Sequence, residues 1–162
     1  MDKCTHVWYT GIIRHASTTS YEEYGIPTQH PAIVKGKAGS PYAIVDYYDV
    51  DPDLAENVLD RMQEFEALLS RTSKVGLKTI IDFVPNHVAR QYKSTTKPEG
   101  AEDLGENDDT TKNFDTNNNF YYCNGLPFAP SFSLYSEATD TTYFEQPAKA
   151  TGNDRFDNAP NK

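Results

Sequence analysis

Residues 76–87 read Gly-Leu-Lys-Thr-Ile-Ile-Asp-Phe-Val-Pro-Asn-His, and they carry the clearest indication of the fold class. A short β-branched run that follows a glycine is typical of a buried strand, so we predict a strand over Leu77–Val84. Ligands of α/β proteins bind beyond the C-terminal ends of parallel strands. Asn86 and His87 follow this strand directly and are therefore placed at a candidate binding edge.

The segment before Gly76 predicts the helix that leads into this strand. Asp51 and Pro52 supply an N-cap and a proline at the first helical position. Gly76 stands where a left-handed C-terminal cap is expected, so we predict a helix over Pro52–Val75. Its apolar residues recur at helical spacing and form one face: Leu54, Val58, Leu59, Met62, Phe65, Leu68 and Leu69.

An earlier strand is predicted over Cys4–Ile13, which is β-branched and aromatic. Cys4 is expected to be a small buried residue. The region from Arg14 to Val50 is predicted to be irregular, because turn residues interrupt it repeatedly. Strand, crossover helix and strand form a βαβ unit with parallel strands. Such a sheet is normally covered on both faces, so this unit needs further neighbours.

The second half of the chain loses regular periodicity and is rich in Gly, Pro, Asn, Asp and Thr. We predict two parts: a strand–helix–strand segment over 1–87, and a loop-rich subdomain over 88–162 that is inserted in a larger fold or partly disordered. The acidic stretch Glu99–Asp109 is expected to be a solvated loop, since it lacks the register of an EF-hand.

Composition excludes several classes of function. The chain has 162 residues and a formal net charge of −9, which disfavours nucleic acid as a partner. No run of about 18 apolar residues suggests a membrane span. Two cysteines do not make a disulfide framework, and no signal peptide is expected at the start of this chain, so localisation stays open.

The loop between the first strand and the helix contributes further candidates for the site. It carries Tyr42, Asp46 and Tyr48, and it opens at the same edge as Asn86 and His87. Tyrosine rings can stack on sugar faces, while His and Asp can hydrogen-bond hydroxyl groups. These residue types together predict a pocket for a carbohydrate.

The run Asp82-Phe83-Val84-Pro85-Asn86-His87, preceded by a helix and by the Tyr/Asp segment over 42–49, resembles the alpha-amylase family, glycoside hydrolase family thirteen. The resemblance covers roughly Thr5 to Tyr92, and residues 148–154 are similar to bacterial relatives. It implies an α/β fold in which this chain forms one βαβ unit of a TIM (β/α)8 barrel. The two strands would be barrel strands two and three, and the part after His87 would be the domain inserted there.

The resemblance also implies roles for individual residues. Tyr42 would stack on the sugar and His87 would hydrogen-bond it, with Asp46 as a further substrate-binding residue. Asn86 and Asp154 would be ligands of a structural Ca²⁺, which prefers oxygen donors. Asp82 would support the site and not act chemically.

No catalytic residue is assigned. The family hydrolyses with retention through two carboxylates about 5 Å apart, in motifs such as Gly-Phe-Arg-x-Asp, and this chain has no such motif. We therefore expect a portion of a hydrolase of α-glucan (starch or malto-oligosaccharides) that does not cut on its own and partners the remainder of the barrel. The alternatives are a non-catalytic truncated product or carbohydrate-binding remnant, and an unrelated small doubly wound α/β protein.

Overall fold

A computed structural model describes residues 4–150. This part of the chain is a mixed α/β structure without a closed barrel. Its strands and its one α-helix are β1 (His6–Tyr9), β2 (Ile13–His15), β3 (Ile44–Val50), α1 (Arg61–Lys74), β4 (Lys78–Ile81), β5 (Tyr122–Cys123), β6 (Tyr135–Ser136), β7 (Thr141–Thr142) and β8 (Ala148–Lys149).

The predicted βαβ unit is present. Strands β1 and β4 pair in parallel, with Trp8 opposite Ile80 and Tyr9 opposite Ile81, and α1 lies between them in the chain. Gly76 has φ +79, the left-handed conformation expected at the end of the helix. The strand predicted over Leu77–Val84 is therefore present but shorter, because the paired residues of β4 are Lys78–Ile81 and the chain leaves the sheet at Asp82.

The helix is shorter than predicted, because it begins at Arg61 and not at Pro52. Asp51 does act as an N-cap, but its Oδ1 accepts from the backbone N–H two residues later and caps a 3-10 turn. A second 3-10 turn precedes α1, with Asn57 as its cap. The carboxylate of Glu64 accepts from the backbone N–H of Asn57 at 2.7 Å, which folds this approach back onto the first helical turn.

The first predicted strand is also shorter. The chain turns at Gly11, which has φ +74, so that β1 ends at Tyr9 and Ile13 opens a different strand. The expectation that Cys4 is buried is wrong: it precedes β1 and is exposed, because no described segment covers that end of the strand.

The prediction of an irregular region from Arg14 to Val50 is wrong at both ends, because Arg14 and His15 lie in β2 and the last seven residues form β3. Strand β3 pairs antiparallel with β2, and Arg14 lies opposite Asp46. Two aspartates inside a strand are unfavourable by propensity. Here Asp46 and Asp49 are buried and paired with arginines, and these ion pairs offset the unfavourable propensity.

The second half of the described chain contains two small antiparallel pairs, β5 with β8 and β6 with β7. Its core is a compact cluster of Cys123, Phe128, Tyr143 and Ala148. Carboxylate side chains also accept hydrogen bonds from backbone N–H groups that no strand partner satisfies. Asp108, for example, accepts from the backbone N–H groups of Asn119 and Phe120 and from the hydroxyl of Tyr122.

Several apolar side chains of the βαβ unit are uncovered in the described part of the chain. Trp8 and Phe83 are each 66% exposed, and Leu59 is 64% exposed, so the predicted apolar helix face is only partly packed. Thr72 is the one buried residue of α1. Within residues 4–150, no helix combines the length and the hydrophobicity needed to cross a membrane.

Candidate functional site

The segment after β4 is held against β3 by one tyrosine. The Tyr47 hydroxyl donates to the carbonyl oxygen of Val84 at 2.5 Å and lies 3.3 Å from that of His87. The backbone N–H of Ala89 then donates to the carbonyl of Ile44 at 2.7 Å. The turn that carries the predicted site residues is therefore fastened at both of its ends.

Asn86 and His87 are both exposed and contact each other. The amide nitrogen of Asn86 lies 2.7 Å from Nδ1 of His87. An amide nitrogen can only donate, so Nδ1 accepts and the imidazole proton sits on Nε2. Among residues 4–150, this arrangement leaves Nε2–H without an acceptor and the Asn86 amide oxygen without a donor.

Tyr42 lies on the segment that leads into β3. The residue is 45% exposed, and its backbone N–H donates to Ser40 Oγ at 3.4 Å. It stands two residues before Ile44, whose carbonyl accepts from Ala89 two residues after His87. The backbone hydrogen bond between Ala89 and Ile44 thus joins the segment that follows His87 to the segment that follows Tyr42.

Asp46 is fully buried beneath this edge. Its carboxylate accepts from the backbone N–H of Tyr48 at 2.9 Å and from that of Thr95 at 2.8 Å, and the Thr96 hydroxyl lies 3.3 Å away. In this structure its contacts are with protein groups, and they fasten the chain after His87 to β3. That it also binds sugar stays a prediction.

A buried network of charges underlies the site. Arg14 Nη1 lies 3.8 Å from Asp46 and 3.9 Å from Asp49, and Arg61 holds Asp49 from the other side. Burial lowers the pKa of Arg14 against the opposing pull of these carboxylates. Neither arginine is predicted from the sequence as part of the site; the available signal was the pair of aspartates in a β-branched run.

The two other predicted residues, Asp82 and Asp154, are not part of the contacts described above. Asp82 accepts from the indole N–H of Trp8 at 2.6 Å, which ties the end of β4 to β1. Asp154 lies outside the described residues. Within residues 4–150, His, Cys, Asp and Glu side chains form no group of three that could hold a metal. The Asn86 amide oxygen fits Ca²⁺ as one ligand, whereas Ca²⁺ takes six to eight.

Comparison with known families agrees with this arrangement. The family described as alpha amylase, catalytic domain, matches residues 5–146. The chain belongs to the alpha-amylase family. The match includes both strands of the βαβ unit and the turn with Asn86 and His87, so the alternative of an unrelated doubly wound protein is excluded.

Similar curated proteins include members of two kinds. Maltase 1 of Drosophila virilis is 35% identical over 67 residues, and Maltase A2 of Drosophila melanogaster is 32% identical over 79 residues. These matches cover 39% and 46% of this chain, but only 10% and 13% of the two maltases. The amino acid transporter heavy chain SLC3A1 of Rattus norvegicus is 37% identical over 51 residues, which are 32% of this chain and 7% of that protein. No solved structure gives a significant match.

Proposed function

We propose that this alpha-amylase family chain is a portion of a glycoside hydrolase that acts on α-glucan with retention of configuration, and that it positions substrate without cutting it. Tyr42 stacks on a glucose unit, and His87 donates from Nε2 to a sugar hydroxyl. The carboxylates that perform hydrolysis are not among the residues assigned here. The remainder of a barrel completes the site.

The observation that carries this proposal is the contact between Asn86 and His87. It fixes an outward donor on the imidazole beyond the end of a parallel strand, where α/β proteins bind their ligands. Tyr42 is exposed two residues before Ile44, whose carbonyl is bonded to the segment after His87. The maltase likeness supports α-glucan as the class of substrate.

Asn86 would also contribute to calcium binding. Its amide nitrogen is used by His87, so its oxygen is left for a hard cation. The same residue would then orient the sugar-binding imidazole and hold the ion. Asp154 is the second proposed ligand. The ion would supply a fixed positive charge that joins the inserted domain to the barrel.

The experiment begins with the coding sequence on both sides of these 162 codons. The contiguous reading frame is expressed, and release of sugar from malto-oligosaccharides is followed by NMR of the anomeric proton. We expect hydrolysis with retention, while the 162-residue chain alone releases no sugar. A contiguous protein that neither cleaves nor binds α-glucan would overturn the proposal.

Site variants in the contiguous protein separate positioning from general stability. Tyr42→Ala and His87→Ala are expected to lower kcat/KM for malto-oligosaccharides at least tenfold, which corresponds to about 1.4 kcal/mol of lost transition-state stabilisation. Tyr24→Ala is the matched control, since Tyr24 is an exposed tyrosine outside the site. Equal losses in all three variants would argue against a sugar contact.

A second candidate is a family member without hydrolytic activity, either a carbohydrate-binding remnant or a protein with another role. The likeness to the transporter heavy chain favours it, because the identity of 37% is as high as that to the maltases. Sugar binding without cleavage by the contiguous protein would favour the remnant. Neither binding nor cleavage would favour the other role.

A further inference from the structure

The ring of His15 lies between two acceptors. Its Nδ1 is 2.8 Å from a carboxylate oxygen of Asp51, and its Nε2 is 3.1 Å from the carbonyl oxygen of Ala38. The His15 side chain is 14% exposed, and that of Asp51 is 3% exposed. A carbonyl and an ionised carboxylate cannot donate, so both contacts are favourable only when both ring nitrogens carry a proton.

We infer that the imidazolium of His15 is a positioning residue that clamps the turn over residues 36–41 onto β2, and that this clamp sets the placement of Tyr42. The inference rests on the proposed function for the sugar contact of Tyr42. It adds pH as a control on that contact.

The turn that the clamp holds leads directly to the proposed sugar-stacking ring. Ala38 is four residues before Tyr42, and Gly39 between them packs so closely on the residue that follows β2 that an added Cβ would lie 1.7 Å from the carbonyl oxygen of Ala16. The carbonyl of Lys37 accepts from the backbone N–H of Thr18 at 2.9 Å. Loss of the Ala38 contact would therefore shift the turn locally and leave it attached elsewhere.

Deprotonation of the His15 ring weakens its contact with the Ala38 carbonyl. The Nδ1–Asp51 contact is a charge contact and not an aligned hydrogen bond, but a neutral ring with its proton on Nε2 would still hold an unprotonated Nδ1 2.8 Å from the charged Asp51 carboxylate. The neutral ring therefore keeps its proton on Nδ1, and Nε2 then faces the Ala38 carbonyl as a second acceptor. The contact that fails at high pH is the one that holds the turn.

The surrounding charges favour the protonated ring. Burial disfavours the imidazolium, but Asp51 outweighs this and the pKa of His15 is raised above its ordinary value. Other nearby charges have partners of their own or face water: Arg14 pairs with Asp49, Asp53 accepts from the Tyr21 hydroxyl, and Lys37 is exposed.

The test uses the 162-residue chain, uniformly labelled with ¹³C and ¹⁵N, titrated by NMR over the pH range in which it stays folded. The chain has four histidines, so the ring nitrogens of His15 can be assigned individually. We expect the amide of Gly39 and the ring of Tyr42 to shift with the same midpoint as His15. In His15→Gln this shared transition should vanish, while His6→Gln, changed at an exposed position of β1, should keep it.

The wild-type titration stands even where His15→Gln fails to fold. Ring nitrogens of His15 that report a neutral imidazole throughout, or a Gly39 amide and Tyr42 ring that ignore the His15 transition, would overturn the inference. Malto-oligosaccharide is then added to the contiguous protein below and above the midpoint. One hydrogen bond from a charged donor changes an equilibrium constant by roughly tenfold, so we expect about tenfold tighter binding below the midpoint.

The sugar arm distinguishes the two proposals. A clamp that titrates in a protein that binds no sugar at any pH contradicts the proposed function and leaves the clamp supported. Sugar binding of equal affinity on both sides of the midpoint contradicts the coupling of the clamp to Tyr42.

Discussion

Arg61 holds Asp49 with a two-pronged ion pair, in which Nε lies 2.6 Å from Oδ1 and Nη2 lies 2.9 Å from Oδ2. The arginine comes from the first turn of α1 and the aspartate from β3. The Asp49 side chain is 2% exposed and that of Arg61 is 12% exposed. This pair therefore fastens the crossover helix to β3.

Replacing Arg61 with leucine should destabilise the chain strongly. The buried Asp49 carboxylate would lose its two-pronged partner and keep only Arg14, which is 3.9 Å away. Removing one partner of a buried pair costs about 3–5 kcal/mol, and we expect about 3 kcal/mol here because Arg14 remains. Urea unfolding followed by circular dichroism measures this difference.

The control for this change is Arg71→Leu, since Arg71 is an exposed arginine on the same helix. A surface substitution of this kind should change the free energy of unfolding by no more than about 0.5 kcal/mol. Equal losses in the two variants would mean that the ion pair contributes nothing beyond the helix propensity of arginine.

Gly39→Ala should destabilise the chain more than Gly36→Ala. Both glycines have positive φ, +73 and +66, so each substitution carries the left-handed penalty of about 1–2 kcal/mol. An added Cβ at Gly36 meets nothing within 4 Å, whereas at Gly39 it would lie 1.7 Å from the Ala16 carbonyl oxygen. Thermal unfolding of both variants measures the difference, and matching values would show that the turn relaxes freely from β2.

The βαβ unit was predictable because its signals are local. A β-branched run after Gly76 and an apolar period before it indicate strand and helix without any knowledge of partners. The start of the helix was not predictable in this way, because it depends on the hydrogen bond from the backbone N–H of Asn57 to the Glu64 carboxylate. That bond spans the second 3-10 turn, and no period in the sequence indicates it.

Some residues of the candidate site could also be predicted from local signals, and others could not. Asn86 and His87 could be placed from their position after a strand, but Asp46 could not be assigned its buried surroundings. Its burial depends on Arg14, which lies 32 positions earlier and reaches it only through the antiparallel pairing of β2 and β3. Long-range pairing of two charged residues leaves no pattern in a single sequence.

The contribution of His15 to stability should fall as pH rises. Its pKa is raised in the folded chain, so the folded state holds the proton more tightly than the unfolded state, whose value is about 6.5. The resulting stabilisation is fully present below about pH 6.5 and is lost as pH rises through the higher folded pKa.

Urea unfolding of the wild type and of His15→Gln at about pH 5.5 and about pH 8.5 measures this dependence. The free energy of unfolding of the wild type should exceed that of His15→Gln by a larger amount at the lower pH. His6→Gln, at an exposed position of β1, serves as the control. A difference between wild type and His15→Gln that stays constant with pH, or that grows as pH rises, would contradict the ion pair with Asp51.

Tyr47→Phe should loosen the turn that carries Asn86 and His87 while leaving the βαβ unit intact. The variant removes the hydroxyl that donates to Val84 O and lies near His87 O. One such hydrogen bond contributes about 1 kcal/mol to stability. Tyr48→Phe is the control, because Tyr48 is an exposed tyrosine of the same strand and its change should cost no more than about 0.5 kcal/mol. Amide hydrogen exchange locates the effect: protection should fall at Ala89 in Tyr47→Phe and stay unchanged across β1 and β4. A loss of protection spread evenly over β1, β4 and Ala89 would mean that Tyr47 stabilises the whole fold and has no particular hold on the site.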